Sequence, residues 1–148
     1  MKFLNSLQPL GLLMLRAALG LIFLTHGYPK LTRSSAVLES MFVQHGLPAR
    51  LVYVAGVLET FGGVLLMVGL FARPAALLLA IEMGVAMIKV HSVHGIMAVH
   101  EYEFPLVLAA ACLALATVGP GTLSADHLLY GIGGSRVRSG KPSNRPQR

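Results

Sequence analysis

The sequence predicts an all-α fold: a four-helix transmembrane bundle with a short amphipathic helix in the first outer loop. Three observations predict it. The 148 residues are 55% hydrophobic and only 12% charged, about half the charge of an ordinary soluble domain. The apolar residues gather in four runs near the length that crosses hydrocarbon. Most charges lie outside those runs, while Arg16, Glu59 and Glu82 each stand close to the midpoint of one. A soluble core of this size could not cover so much apolar surface; lipid can. The length suggests one membrane domain, residues 1–130, followed by a tail.

The first span is expected over residues 9–25, with Asn5 or Ser6 as cap and Pro9 suited to a first helical turn. Its apolar run resembles a signal peptide in composition. It has no small-x-small cleavage site, and three further runs follow, so it is read as retained. Between Gly27 and Arg50 the residues Val37, Leu38, Met41 and Phe42 recur at helical spacing. Ser34 or Ser35 can cap that stretch and Gly46 can end it. It is too short to cross, which fits an amphipathic helix at the bundle mouth.

The second span is expected over 51–71. Gly56, Gly62 and Gly63 allow it to approach a neighbour closely. The corner at Phe71 to Pro74 is tight, so the third span, 74–91, forms an antiparallel hairpin with the second. The fourth, 104–118, is short and stopped by Gly119-Pro120-Gly121; its ends can extend through Glu103 or lie in a thinned interface. Apolar periodicity lapses after His127, and residues 131–148 read as a disordered basic tail.

Basic residues set orientation. One side carries Lys2, Arg73, Arg136, Arg138, Lys141, Arg145 and Arg148. The other carries Lys30, Arg33, Arg50 and Lys89, diluted by Glu39, Glu101 and Glu103. Both termini are therefore expected in the cytoplasm, with His26, His45, His91, His94 and His100 on the outer side. The net charge of +6 lies mainly in the tail, with no basic face interleaved with aromatics, so nucleic acid is not an expected partner. A tail of this kind touches anionic lipid. Cys112 is the only cysteine, which excludes an intrachain disulfide and dithiol redox chemistry.

Arg16, Glu59 and Glu82, at matching depth on spans one, two and three, are expected to meet. An arginine fork can hold one carboxylate bidentately. The second carboxylate would tend to take up a proton, since burial and a like charge both disfavour its ionised form. That arrangement is either a proton-accepting site or a static clasp that fixes helix register. Lys89 lies two turns beyond Glu82; it either snorkels to the interface or meets an anionic or quinone-oxygen ligand. His91, His94, His100, Glu101 and Glu103 have metal-capable side chains, but their spacing matches no zinc signature, so no metal is expected. His26 and Tyr28 either line a pocket mouth or anchor the interface. No phosphate loop or nucleophile elbow is present.

Several weak motifs stand in a specific order. Span one reads LRAALGLIFLTHGYPKL, with Arg16, His26-Gly27 and Lys30-Leu31. Gly46-Leu47-Pro48 precedes span two, followed by Glu59, Gly62-Gly63 and the run holding Arg73 and Glu82. Tyr102-Glu103-Phe104-Pro105 opens span four, and Leu123-Ser124-Ala125-Asp126 follows Gly119-Pro120-Gly121. This order resembles the DoxX family of small bacterial and archaeal four-span membrane proteins, over roughly residues 12–128. Ala125 stands where a leucine is frequent, and the stretch from His94 to Glu101 departs from the usual glycine- and asparagine-rich loop. Members of the wider family resemble subunits of thiosulfate:quinone oxidoreductases, and others are linked to membrane redox complexes that handle oxidative stress.

The resemblance implies an integral membrane, redox-associated subunit of the bacterial or archaeal cytoplasmic membrane. Quinone, or a similar lipid-soluble carrier, would bind in the polar mid-bundle pocket. Glu82 or Glu59 would relay protons, Arg16 would hold the carboxylate charge, and Lys89, His91, Glu103, His26 and Tyr28 would contact the carrier or its entrance. No covalent cofactor is evident, so electrons would come from a redox partner subunit; a homo-oligomer is compatible. The rival readings are a non-catalytic scaffold or assembly factor and a small transporter. Four spans are few for the latter, and inverted halves are not visible.

Overall fold

The computed structural model describes residues 2–32, 36–91 and 99–131. The expected tail, the cap at Ser34 or Ser35, and His94 lie outside them. Among the described residues all regular structure is helical. Helix α1 runs Lys2–Thr32, α2 Ala36–Gln44 and α3 Leu51–Val68. Helix α4 runs Ala72–Ala86 and continues into a π-helical turn, Met87–His91. Helix α5 runs Val99–Val118 and α6 Ala125–Tyr130. By length and composition, Ser6–Thr32 and Leu51–Val68 can cross a membrane, and Tyr102–Val118 is a shorter apolar stretch.

Helix α1 overruns the expected 9–25 at both ends and passes through Pro29. A proline forfeits one intrahelical N–H and crowds the preceding turn. Here it falls in the closing turns, where Thr32 Oγ1 donates to the Tyr28 carbonyl at 3.0 Å. Lys30 thereby sits on helix rather than in a loop. Helix α5 also starts earlier than the expected 104, and Pro105 lies within it.

Helix α3 ends at Gly69, whose left-handed backbone (φ 75°) turns its N–H back to the Leu65 and Leu66 carbonyls, a common glycine stop. Phe71, at the start of α4, is also left-handed (φ 47°). Its N–H and that of Ala72 donate to the two Asp126 oxygens at 2.8 and 3.0 Å. The carboxylate, supplied from α6, satisfies donors that the first turn of α4 leaves open. Arg73 in turn donates to the Val118 carbonyl at the end of α5.

Helix α1 lies along α3, α4 lies along α5, and the 69–71 corner joins the two pairs. Glycines fix the register of the first pair. A Cβ on Gly20 would stand 2.6 Å from the Gly63 carbonyl oxygen, and one on Gly63 would stand 2.7 Å from that of Gly20. A Cβ on Gly27 would stand 2.6 Å from the Thr60 nitrogen. Rising positions on α1 meet falling positions on α3, so the two run antiparallel. Leu19, Phe23, Leu66, Leu79, Cys112 and Leu115 fill the centre. Large apolar side chains such as Leu21, Phe61, Leu78, Ile81 and Val107 point outward, an exposure that suits lipid better than water. Helix α2 has no buried residue; Tyr53 at the start of α3 donates its hydroxyl to Glu39 at 2.8 Å.

Candidate functional site

Two buried ionic groups stand at different depths of the bundle. The first contains Lys30, Glu59 and Glu82. Side chains lean toward the N-terminus of their helix. On antiparallel α1 and α3, Lys30 and Glu59 therefore lean toward each other. The Lys30 Nζ donates to Glu59 Oε2 at 2.5 Å, with the carboxylate side chain 5% exposed and the lysine 20%. Gly27 makes this approach possible, because a Cβ there would stand 2.7 Å from Glu59 Cβ.

Glu82 comes from α4. Glu59 and Lys30 are the charges that act on it, and its Oε2 is buried without a hydrogen-bond partner. Thr60 Oγ1 is likewise buried and unpartnered. The group thus contains two carboxyls and one ammonium. An ammonium has three donors, of which Glu59 takes one. The remaining donors, and a protonated Glu82, can hold a carbonyl or hydroxyl oxygen. Ionisable groups facing a membrane bundle interior are costly unless such partners are met.

Arg16 is not part of this group, contrary to the expectation from matching depth. It is 1% exposed, yet about 21 Å of helix separates it from Lys30 at 1.5 Å per residue. The glycine register places Arg16 beside Gly69, beyond the end of α3. There its Nη2 donates to the Leu123 carbonyl at 2.5 Å, Nε and Nη1 are buried without a partner, and Asp126 is its attractive charge. A Cβ on Gly69 would collide with the guanidinium. A cation at the C-terminal end of α3 and a carboxylate at the N-terminal end of α4 both suit the helix dipoles. Asp126 N–H also donates to the Gly69 carbonyl at 2.9 Å. Together these contacts clamp the α5–α6 segment onto the α3–α4 corner.

The other expected residues lie nearer the Lys30 end but apart from the group. His26 is exposed, bonds the Ile22 carbonyl through Nδ1 at 2.8 Å, and packs its ring 5.9 Å from that of Phe104 on α5. Tyr28 is 58% exposed. Lys89, in the π-helical turn, and Glu103 are exposed. His91 closes that turn, and its side chain lies outside the described residues. Two residues enter that spacing alone did not single out. Lys30 lies beyond Thr25, the expected end of the first span, on the closing turns of α1. Asp126 sits in a short polar segment whose one structural signal, a Ser124 cap that accepts the His127 N–H, is visible in the sequence only as a serine three residues ahead.

A family model described as DoxX matches residues 11–92. A Bacillus subtilis (strain 168) protein named "Putative oxidoreductase CatD" is 33% identical over 126 residues, covering 85% of this chain and 92% of that protein. Two proteins of Escherichia coli (strain K12) are similar. Inner membrane protein YphA is 30% identical over 131 residues, 83% of this chain and 93% of its own length. Inner membrane protein YqjF is 29% identical over 129 residues, 84% and 96% of the two lengths. No solved structure matches. With a matched stretch that runs from α1 to the π-helical turn and takes in Lys30, Glu59 and Glu82, the chain belongs to the DoxX family.

Proposed function

We propose that this protein is a four-span subunit of a quinone-linked oxidoreductase in the bacterial inner membrane, and that Lys30, Glu59 and Glu82 receive the carrier's head group. One observation carries the reading: a buried Lys30–Glu59 ion pair faces a Glu82 oxygen that has no partner. Such a vacancy in hydrogen bonding, inside a membrane bundle, favours a polar ligand over a finished structural clasp. The name of the Bacillus subtilis relative, an oxidoreductase, and those of the Escherichia coli inner membrane proteins support the class and the location.

The four spans are α1, α3, the continuous helix 72–91 and α5. At about 20 residues, each of the last two is long enough to cross. Both termini face the cytoplasm, as the basic residues of the connections suggest.

A quinone supplies two-electron chemistry that consumes two protons, with the electrons drawn from a redox partner subunit. Within this chain, Lys30 orients an oxygen acceptor by a charge-assisted bond. Glu82 holds or releases the exchangeable proton, and Glu59 keeps the ammonium in place. Val52, Gly56 and Gly62 are buried beside Glu59 on α3. Arg16 has no chemical part; it is a positioning residue at the far end.

Lipid extraction of the protein purified in mild detergent tests the reading. Quinone should accompany the natural protein and be lost from Glu82→Leu, which removes the donor and leaves the Lys30–Glu59 bond in place. A quinone content unchanged in folded Glu82→Leu, or none in the natural protein, would rule the site out.

A further inference from the structure

We infer that the Lys30–Glu59–Glu82 centre exchanges protons and water with one face of the membrane only, the face that carries the α1–α2 and α4–α5 connections. The inference rests on the reading of this centre as the chemical site and assigns it a direction.

Three features carry it. The inward stripe of α1 changes character along its length: Arg16, then Leu19, Gly20, Phe23 and Gly27, then Lys30, all buried up to the half-buried lysine. Between Arg16 and Gly27 this leaves about 16 Å of helix, at 1.5 Å per residue, without a polar side chain facing in. The other helices continue the same layer. Gly62, Gly63 and Leu66 follow Glu59 on α3, Ala75, Ala76 and Leu79 precede Glu82 on α4, and Cys112 and Leu115 close it from α5, all buried. The buried charged or polar residues, among the described ones, are Arg16, Glu59, Ser124 and Asp126, so none lies within the layer.

Behind the layer stands a second seal. Arg16, packed on Gly69 and bonded to Leu123, together with Asp126 on Phe71 and Ala72, ties α1, the corner and α6 together. At the opposite end the polarity is continuous with the surface. Lys30 is 20% exposed, and exposed His26, Lys89 and Glu103 lie on the closing turns of α1 and α4 and the opening turns of α5. A tightly packed apolar layer admits neither water nor a hydrogen-bonded chain. Any proton taken up or released at Glu82 therefore passes by way of Lys30 and its end of the bundle. A through-going transporter would need a polar path across the same layer.

Side-specific thiol labelling tests this on the full chain. In a Cys112→Ala background, Glu82→Cys and, separately, Lys30→Cys are placed in sealed vesicles of both orientations and treated with a membrane-impermeant sulfonated maleimide. Gln44→Cys, at the end of α2, and Thr122→Cys, between α5 and α6, mark the two faces. Glu82→Cys and Lys30→Cys should label from the Gln44 face, with complete loss of labelling from the Thr122 face. Labelling from the Thr122 face, from both faces, or from neither in a folded variant would overturn the inference. Should one variant fail to fold, the other gives the same reading. Because no quinone is used, one-sided labelling with no quinone retained would refute only the functional reading, and two-sided labelling with quinone retained would refute only the direction.

Discussion

Glu59 is a carboxylate buried in the middle of an apolar helix, and its counter-charge is Lys30. Removing one member of a buried pair leaves the other uncompensated, whereas removing both is often nearly neutral. Lys30→Met should therefore lower stability by roughly 3 kcal/mol, read by thermal unfolding in detergent. Lys30→Met combined with Glu59→Gln should recover most of that loss. If the double variant is no better than the single one, the pair is not the coupling described here. At the other end, Asp126→Asn keeps the shape but weakens two bonds to the start of α4 and removes the charge near Arg16. A cost of about 1–2 kcal/mol is expected, with quinone content unchanged, since this residue does not reach the polar centre. The charges themselves were legible in the sequence: Arg16, Glu59 and Glu82 all turn inward. Their partners were not. Which cation meets Glu59 depends on the register of two helices far apart in sequence, and residue spacing within each helix carries no information about that offset.

Among the elements, the α1–α3 contact decides the most. Its register is set by backbone approach at Gly20, Gly27 and Gly63. Gly63→Ala would press a methyl against the Gly20 carbonyl, and overpacking of this kind costs about 1–3 kcal/mol. Gly11→Ala meets nothing within 4 Å and should gain up to about 1 kcal/mol from helix propensity alone. Comparing the two by thermal unfolding separates close packing from propensity; equal effects would contradict the register. The small residues of span two did announce close packing in the sequence, and the Phe71 to Pro74 corner announced a tight turn. The ends of α1 and α5 were less legible: Pro9, suited to a first helical turn, lies well inside α1, and α5 begins before the expected 104. Pro29 forfeits a bond to the Thr25 carbonyl and Pro105 one to the Glu101 carbonyl, yet both helices continue through them. Helix α6 escaped notice because six residues hold no measurable periodicity.

At the scale of the molecule, the bundle separates two kinds of buried charge. One holds a clamp in which Arg16 and Asp126 bind the chain to itself, with Arg16 Nε and Nη1 buried and unpartnered. The other is the Lys30–Glu59–Glu82 centre, which also has spare hydrogen-bonding capacity, and an apolar layer lies between. The all-helical character and the outward apolar surface followed from composition and run length. The division into two polar groups did not, because it arises from the antiparallel offset of α1 against α3. We propose that the carrier binds among Lys30, Glu59 and Glu82, away from Arg16. Photo-crosslinking with an azido-quinone, followed by mass spectrometry of the labelled peptides, addresses it most directly. The label is expected on the C-terminal turns of α1, around Glu59 on α3 and around Glu82 on α4, and should be displaced by excess unmodified quinone. Displaceable label concentrated instead around Arg16 and Leu123 to Asp126, or spread over the outward apolar faces, would contradict it.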